Sequence, residues 1–179
     1  MLQDRIAHRY AKSLFELALE KDILEQVKDD LQALDDLFHK SYDLRVLLRS
    51  PVITSRKKWA VLNQLLKAKL SDTVFQFLHI LTLKGREALL DFVWNEFEKL
   101  YNAHKNITVV QVQTAVPLEV VDRQQLIRTL EAQLDTQVDL KEAVDPELIA
   151  GLELRIGHKL YDGTIANALR KIKQELVLN

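Results

Sequence analysis

Apolar residues recur at three- and four-residue steps through the first part of the chain, the period that gathers side chains on one face of an α-helix. The spacing predicts a first helix from about Leu2 to Glu20. Ile6, Tyr10, Leu14, Leu17 and Ala18 form one stripe on it, and Ala7, Ala11 and Phe15 form a flanking one. A second helix is expected from about Asp22 to His39, with Ile23, Val27, Leu31, Leu34 and Phe38 inward. A short third, about Asp43 to Arg49, stops at Ser50-Pro51, because proline disfavours helical backbone in the residue before it. Thr54 or Ser55 can cap a fourth, which carries Trp59, Leu62 and Leu66. Ser71 or Asp72 can cap a fifth, which Lys84-Gly85 ends. The sixth starts near Glu87 and turns Leu90, Val93, Phe97 and Leu100 inward. Short joints between these helices predict a compact six-helix bundle over residues 1–105.

The fifth helix breaks the single-stripe rule. Thr73 to Leu83 reads TVFQFLHILTL, and Val74, Phe75, Phe77, Leu78, Ile80, Leu81 and Leu83 cover almost its whole circumference. Either its neighbours surround it, or one face is left for a partner. The first helix carries two adjacent stripes, and its Ala7 and Ala11 are small enough for a partner helix to approach closely. A groove between the first and fifth helices, holding a third amphipathic helix, is the expectation.

At Asn106 the period changes to two. Ile107 to Thr114 reads ITVVQVQT, a half-buried strand with Val110 and Val112 on one face and Val109 and Gln111 on the other. A helix from about Glu119 to Leu134 follows, with Leu126, Ile127, Leu130 and Leu134 inward. Two extended runs come next, Val138 to Val144 and Leu152 to Ile156. Asp145-Pro146 breaks the pairing between them, since proline donates no ladder hydrogen bond. Gly157-His158 makes a two-residue turn into Lys159–Tyr161, and Asp162-Gly163 makes another before Thr164 caps a last helix. That helix is striped by Ile165, Ala168, Leu169, Ile172 and Leu176. Residues 106–179 are therefore expected to form a small α+β domain.

Composition then removes whole classes of function. Lys plus Arg is 25 and Asp plus Glu is 26, a balance that argues against a nucleic-acid binder. Without cysteine there is no disulfide or thiol chemistry. No apolar run approaches the roughly 20 residues that span a bilayer, and the opening residues lack the apolar core of a signal peptide. His8, His39, His79, His104 and His158 are scattered, with no pair at metal-ligand spacing. Asp29-Asp30 and Asp35-Asp36 read as a solvated helix face, and Arg56-Lys57-Lys58 as a surface run. No nucleophile cluster, phosphate loop or cofactor motif is visible, so no catalytic, cofactor or metal residue is named.

Several stretches do resemble one family, the delta subunit of F-type ATP synthase, also called the oligomycin-sensitivity-conferring protein. From Val138 to Gly157, the apolar positions Val138, Leu140, Val144, Leu148, Leu152 and Leu154 stand at the signature's spacing. With them are Asp145, the small pair Ala150-Gly151, Arg155 and Gly157, and Asp162-Gly163-Thr164 matches the Asp-Gly-Ser that follows. Ala7 to Phe15 is similar to the family's first helix, and Phe77 to Arg86 to its fifth helix and Gly-Arg exit. One departure stands out: many members carry arginines where this chain has Ala166 and Ala168, and its basic residues come later, at Arg170, Lys171 and Lys173.

The resemblance implies a non-catalytic stator subunit without cofactors, present once per complex. The helical domain would grip N-terminal helices of the alpha subunits, at positions matched by Tyr10, Ser13, Leu14, Phe77 and Ile80. The second domain would hold the b subunits of the peripheral stalk. The subunit would lie at the cytoplasmic face of a bacterial membrane, attached only through partners, and would couple proton-driven rotation to ATP synthesis. Two other classes remain open on the residues alone. One is a free-standing adaptor bridging two helical partners; the other is an enzyme assembled from dispersed acids and histidines.

Overall fold

The computed structural model describes residues 2–148, 150–164 and 167. Among them are seven α-helices and one four-stranded sheet, a helical part followed by a small α+β part. Two compact units divide the chain, Met1–Tyr101 and Asn102–Asn179, so the boundary falls inside a helix rather than at Asn106.

The helical part contains α1 (Leu2–Glu20), α2 (Leu24–Lys40), α3 (Tyr42–Arg49), α4 (Ser55–Leu66), α5 (Asp72–Leu83) and α6 (Leu90–Lys105). Helix ends follow from local chemistry. Asp22 takes a left-handed φ of 55°, and the amides of Asp22 and Ile23 donate back to Leu19 and Ala18. This closure ends α1 and delays α2 to Leu24. Gly85, φ 61°, ends α5 in the same way: Gly85 N–H donates to Thr82 O at 3.0 Å and Arg86 N–H to Leu81 O at 2.9 Å. Ser41 Oγ accepts from Leu44 N–H at the start of α3. Ser71 Oγ accepts from Val74 N–H to cap α5, while the Ser71 amide itself donates to Asp30 Oδ2. Glu87–Leu89 is a 3-10 turn, so α6 starts at Leu90, later than expected.

Ala7, Ala11, Leu14 and Ala18 of α1 are buried with Val27, Leu31, Leu34, Phe38, Leu62, Leu78, Val93 and Phe97. Tyr101, not Leu100, is the buried residue in the last turns of α6. The basic run at 56–58 is not wholly a surface feature. Lys58 is 5% exposed, pairs with Glu87, and donates to Leu48 O at 2.6 Å. Its ammonium therefore joins the end of α3, the body of α4 and the turn into α6. Lys58 stands four residues before Leu62 and eight before Leu66 on the buried face of α4, whereas Arg56 and Lys57 are solvated.

In the second unit the strands β1 (Ile107–Thr114), β2 (Gln137–Val144), β3 (Leu152–Ile156) and β4 (Lys159–Asp162) run in the order β2-β1-β3-β4. The two runs separated by Asp145-Pro146 are not neighbours, because β1 lies between them. It pairs parallel with β2 and antiparallel with β3. Helix α7 (Val120–Leu134) makes the crossover that a parallel pair requires. Val110, Val112, Leu130 and Leu140 form the core, with Leu126, Ile127, Leu134, Val138, Leu154 and Ile156 packed against it. Gly157, φ 58°, turns β3 into β4, with Ile156 opposite Lys159.

Gly151 has φ 97°, and a Cβ placed there would stand 2.5 Å from Gly163 O and 2.8 Å from Thr164 Cα. Gly163 N–H donates to Leu152 O at 3.0 Å. Two backbone segments thus touch where only glycine fits. Asp162 Oδ1 accepts from both the amide and hydroxyl of Thr164, whose Oγ1 in turn accepts from Asn167 N–H as a helix cap. The expected last-helix stripe, Ile165, Ala168, Leu169, Ile172 and Leu176, lies outside the described residues, as do Ala166, Arg170, Lys171 and Lys173.

Three consequences can be measured. Lys58→Met strands the Glu87 carboxylate and should cost about 3–5 kcal/mol in urea unfolding, whereas Lys58→Met with Glu87→Leu should recover most of it. Gly151→Ala should lower the unfolding free energy of the full chain, read from denaturant unfolding, by more than the about 1–3 kcal/mol of its dihedral alone, because the clash adds. Tyr101 donates to Glu25 Oε2 at 2.6 Å; that hydrogen bond, then burial, pushes its phenol up to about 12 from an ordinary 10. The folded chain therefore holds this proton more tightly than the unfolded one. The stabilisation is complete below pH about 10 and is lost as pH rises to about 12. Tyr101→Phe should flatten that part of the stability–pH curve.

Candidate functional site

The sequence points to α1 and α5, and the structure joins them through aromatic rings. Tyr10 and Phe77 meet edge to face, with centroids 6.1 Å apart and planes at 74°. Both residues are half-buried. Ile80, one turn beyond Phe77, is 50% exposed, and Leu83 at the end of α5 is 64% exposed. The opposite side of α5 buries Val74, Leu78 and Leu81 completely. The apolar circumference of α5 thus divides into a core face and a face with apolar side chains left in water.

The predicted α1 residues separate by burial. Tyr10 is accessible and Ser13 is exposed, but Leu14 is 2% exposed and belongs to the core. Ala7 and Ala11 are also fully buried, so their small side chains let α1 approach its own neighbours rather than a partner. Leu17, further along α1, keeps more than a third of its surface. Arg86, noted in the sequence only as the arginine of the Gly-Arg exit, was given no site role, yet its Nη1 donates to the Tyr10 hydroxyl at 2.9 Å. Its position directly after the helix-ending Gly85 was the available signal.

The signature residues make a fold device. Asp145 Oδ1 accepts from Glu147 N–H, which shapes the exit from β2. Val144 is exposed at that exit, Leu148 sits in a 3-10 turn and Ala150 is half-buried beside Gly151. Leu154 packs on the sheet core, and Arg155 is exposed with Nη2 3.8 Å from Glu153. Gly157, Asp162 and Gly163 hold the turns already described. Val116, Val120, Val121, Leu160 and Tyr161 leave further apolar surface exposed on this unit.

Acid and histidine groups come together in one notable place. His8 Nδ1 lies 2.8 Å from Glu96, which also accepts from Lys99 at 2.6 Å. An open depression of about 620 Å³ beside them is lined by Asp4, Arg5, Ile6, His8, Arg9 and Glu96. The Lys99 hydrogen bond, ahead of that from His8, holds the Glu96 carboxyl below its usual range. A carboxylate held by a lysine ammonium and a histidine ring nitrogen reads as a structural polar network rather than a poised acid or base. Among the described residues, no group of three or more His, Cys, Asp or Glu could hold a metal ion.

Similar sequences and a similar fold occur among known proteins. The family described as "ATP synthase delta (OSCP) subunit" matches residues 6–176. An ATP synthase subunit delta of Symbiobacterium thermophilum is 35% identical, over 99% of this chain and 95% of its own length. That of Alkaliphilus metalliredigens is 33% identical over 98% of each chain. Among solved structures, a chain of the Toxoplasma gondii mitochondrial ATP synthase hexamer has the same fold. Its TM-score is 0.77 at 24% identity, covering 96% of this chain and 97% of that one. A chain of the Polytomella F-ATP synthase matches 55% of this chain and 88% of its own, at 25% identity and TM-score 0.53. With the residues from Ile6 to Leu176 accounted for by one family, the chain belongs to the ATP synthase delta (OSCP) subunit family.

Proposed function

We propose that this non-catalytic subunit is the stator link of an F-type ATP synthase, joining the alpha/beta head to the peripheral stalk. Residues 1–105, as a six-helix bundle, would hold N-terminal helices of alpha subunits in the groove between α1 and α5. Residues 106–179 would hold the far ends of the b helices, and one copy would serve each complex. The observation that carries the reading is the Tyr10–Phe77 contact beside the exposed apolar row of Ile80 and Leu83. An amphipathic helix laid there would cover that row with its own apolar face. Tyr10, Ser13, Phe77 and Ile80 would touch it, and Leu14 would support the groove from beneath.

Such a link does no chemistry. It resists torque, so that proton-driven rotation is spent in the head instead of turning the head itself. Resistance needs broad complementary interfaces rather than a pocket with convergent polar groups. No helix of the described residues is long and apolar enough to cross a membrane. Attachment at the cytoplasmic face of a bacterial membrane would therefore run through the b chains.

Substituting a charge into the groove tests the reading. Ile80→Asp and Tyr10→Asp should each leave the helical circular dichroism intact. Each should weaken binding of an alpha N-terminal peptide by at least ~2 kcal/mol in calorimetric titration, the scale of an interface hot spot. Normal binding by both variants would place the alpha contact elsewhere. Loss of helix in both would make these positions core.

A further inference from the structure

We infer that Arg86 is a positioning residue for the α1/α5 groove: it acts through Tyr10, holding that ring against Phe77 so that the groove is shaped before a helix arrives. The inference rests on the groove reading above and adds a residue that touches the groove wall from outside both helices.

The backbone of Arg86 is tightly placed. Its amide closes the left-handed end of α5 on Leu81 O, next to Gly85 at φ 61°. The residue after it, Glu87, is buried and held by Lys58. A side chain leaving this turn starts from a fixed point. It reaches across 76 positions of sequence to α1, where Nη1 donates to the Tyr10 hydroxyl at 2.9 Å. The two ends of the Tyr10 ring are therefore both engaged: Arg86 takes the hydroxyl and Phe77 meets the ring.

That double engagement matters because Tyr10 is only half-buried. A tyrosine at a helix surface has more than one staggered χ1 available. Released from Arg86, the ring could turn away from Phe77 and have to be reordered by the incoming helix. Immobilising side chains on binding costs affinity, and a ring already held in its bound position avoids that cost. Arg86 is exposed, so its removal opens no core cavity.

The test uses the full chain labelled with 3-fluorotyrosine, and a synthetic peptide of the alpha N-terminal segment from the same ATP synthase. Fluorine NMR of the free protein shows four tyrosine resonances, and the one missing from Tyr10→Phe belongs to Tyr10. Arg86→Gln should shift or broaden that resonance and leave Tyr42, Tyr101 and Tyr161 unchanged. In titration, Arg86→Gln and Tyr10→Phe should each weaken the peptide by about tenfold, the scale of one hydrogen bond to a charged group. The double variant should be no weaker than the worse single one, and Arg86→Lys, which can still donate to the hydroxyl, should recover part of the loss. An unmoved Tyr10 resonance, or losses that multiply in the double variant, would overturn the inference, because Arg86 would then act independently of Tyr10. If the unaltered chain binds no peptide, the groove reading fails and takes the inference with it. If the unaltered chain binds and Arg86→Gln binds equally well, only the inference falls.

Discussion

The helical unit is organised around an ion pair that it has buried. Lys58 and Glu87 sit almost wholly out of water, and the lysine also donates to the last carbonyls of α3 through Leu48. Burying two charges costs several kcal/mol per ion, and their attraction offsets this only when the geometry is good. The arrangement therefore adds little net stability but tolerates few alternatives. Sliding α4 along its neighbours would separate the ammonium from the carboxylate and leave both unpaired, whereas an all-apolar contact would accept a small shift. A core in which α1 contributes three alanines and one leucine has few large knobs to set register. The ion pair supplies the directional constraint that those side chains lack.

The same turn serves both sides of the unit. Glu87 faces inward to Lys58, while Arg86, its neighbour, faces outward to Tyr10. Between α5 and this turn, Gly85 reverses the backbone and the Arg86 amide closes the helix. The Arg86–Tyr10 contact beside the proposed groove therefore starts from a turn anchored by a charge pair on its other side. In the α+β unit the corresponding constraint is steric. Gly151 and Gly163 let two backbone segments meet, and the Asp162–Thr164 cap grows directly from that contact. Both devices use positions where one atom more would fail, which suits a protein whose proposed work is to hold shape under load.

Helix and strand content was legible wherever one face was consistently apolar. Val27, Leu31, Leu34 and Phe38 of α2, Leu90, Val93 and Phe97 of α6, the Gly85 and Gly157 turns and the Ser71 cap lie where their spacing puts them, whereas Tyr101 takes the place of Leu100. Legibility failed where the deciding fact was nonlocal. Lys58 shares the four-residue step of Leu62 and Leu66, but its charge reads as surface until α3 and the 3-10 turn close over it. β1 looks like any half-buried strand, and nothing in its period says that it separates β2 from β3; its pairing with both does. On α1 two adjacent stripes were visible, and packing drew the buried face from both: Ala7 and Ala11 from one, Leu14 and Ala18 from the other, which left Tyr10 and Leu17 toward water. Of the residues proposed for the site, Tyr10 and Phe77 meet between α1 and α5, while Leu14 lies beneath in the core.

The division of α5 ties the fold to assembly. A helix apolar on nearly every side is costly for a free-standing unit, since each large side chain left in water forgoes about 1.5–3 kcal/mol of burial. Val74, Leu78 and Leu81 already supply what the unit needs from α5. Ile80 and Leu83 leave half or more of their surface in water, and that exposure raises the risk of unwanted association. Scattered single apolar residues need no explanation, but these two continue the α5 face that begins at Phe77, beside a tyrosine tied in place by an arginine. Their contribution is realised only when something covers them. The energetics of the isolated subunit are in that sense incomplete, and the missing part lies on the surface where a partner helix would complete it.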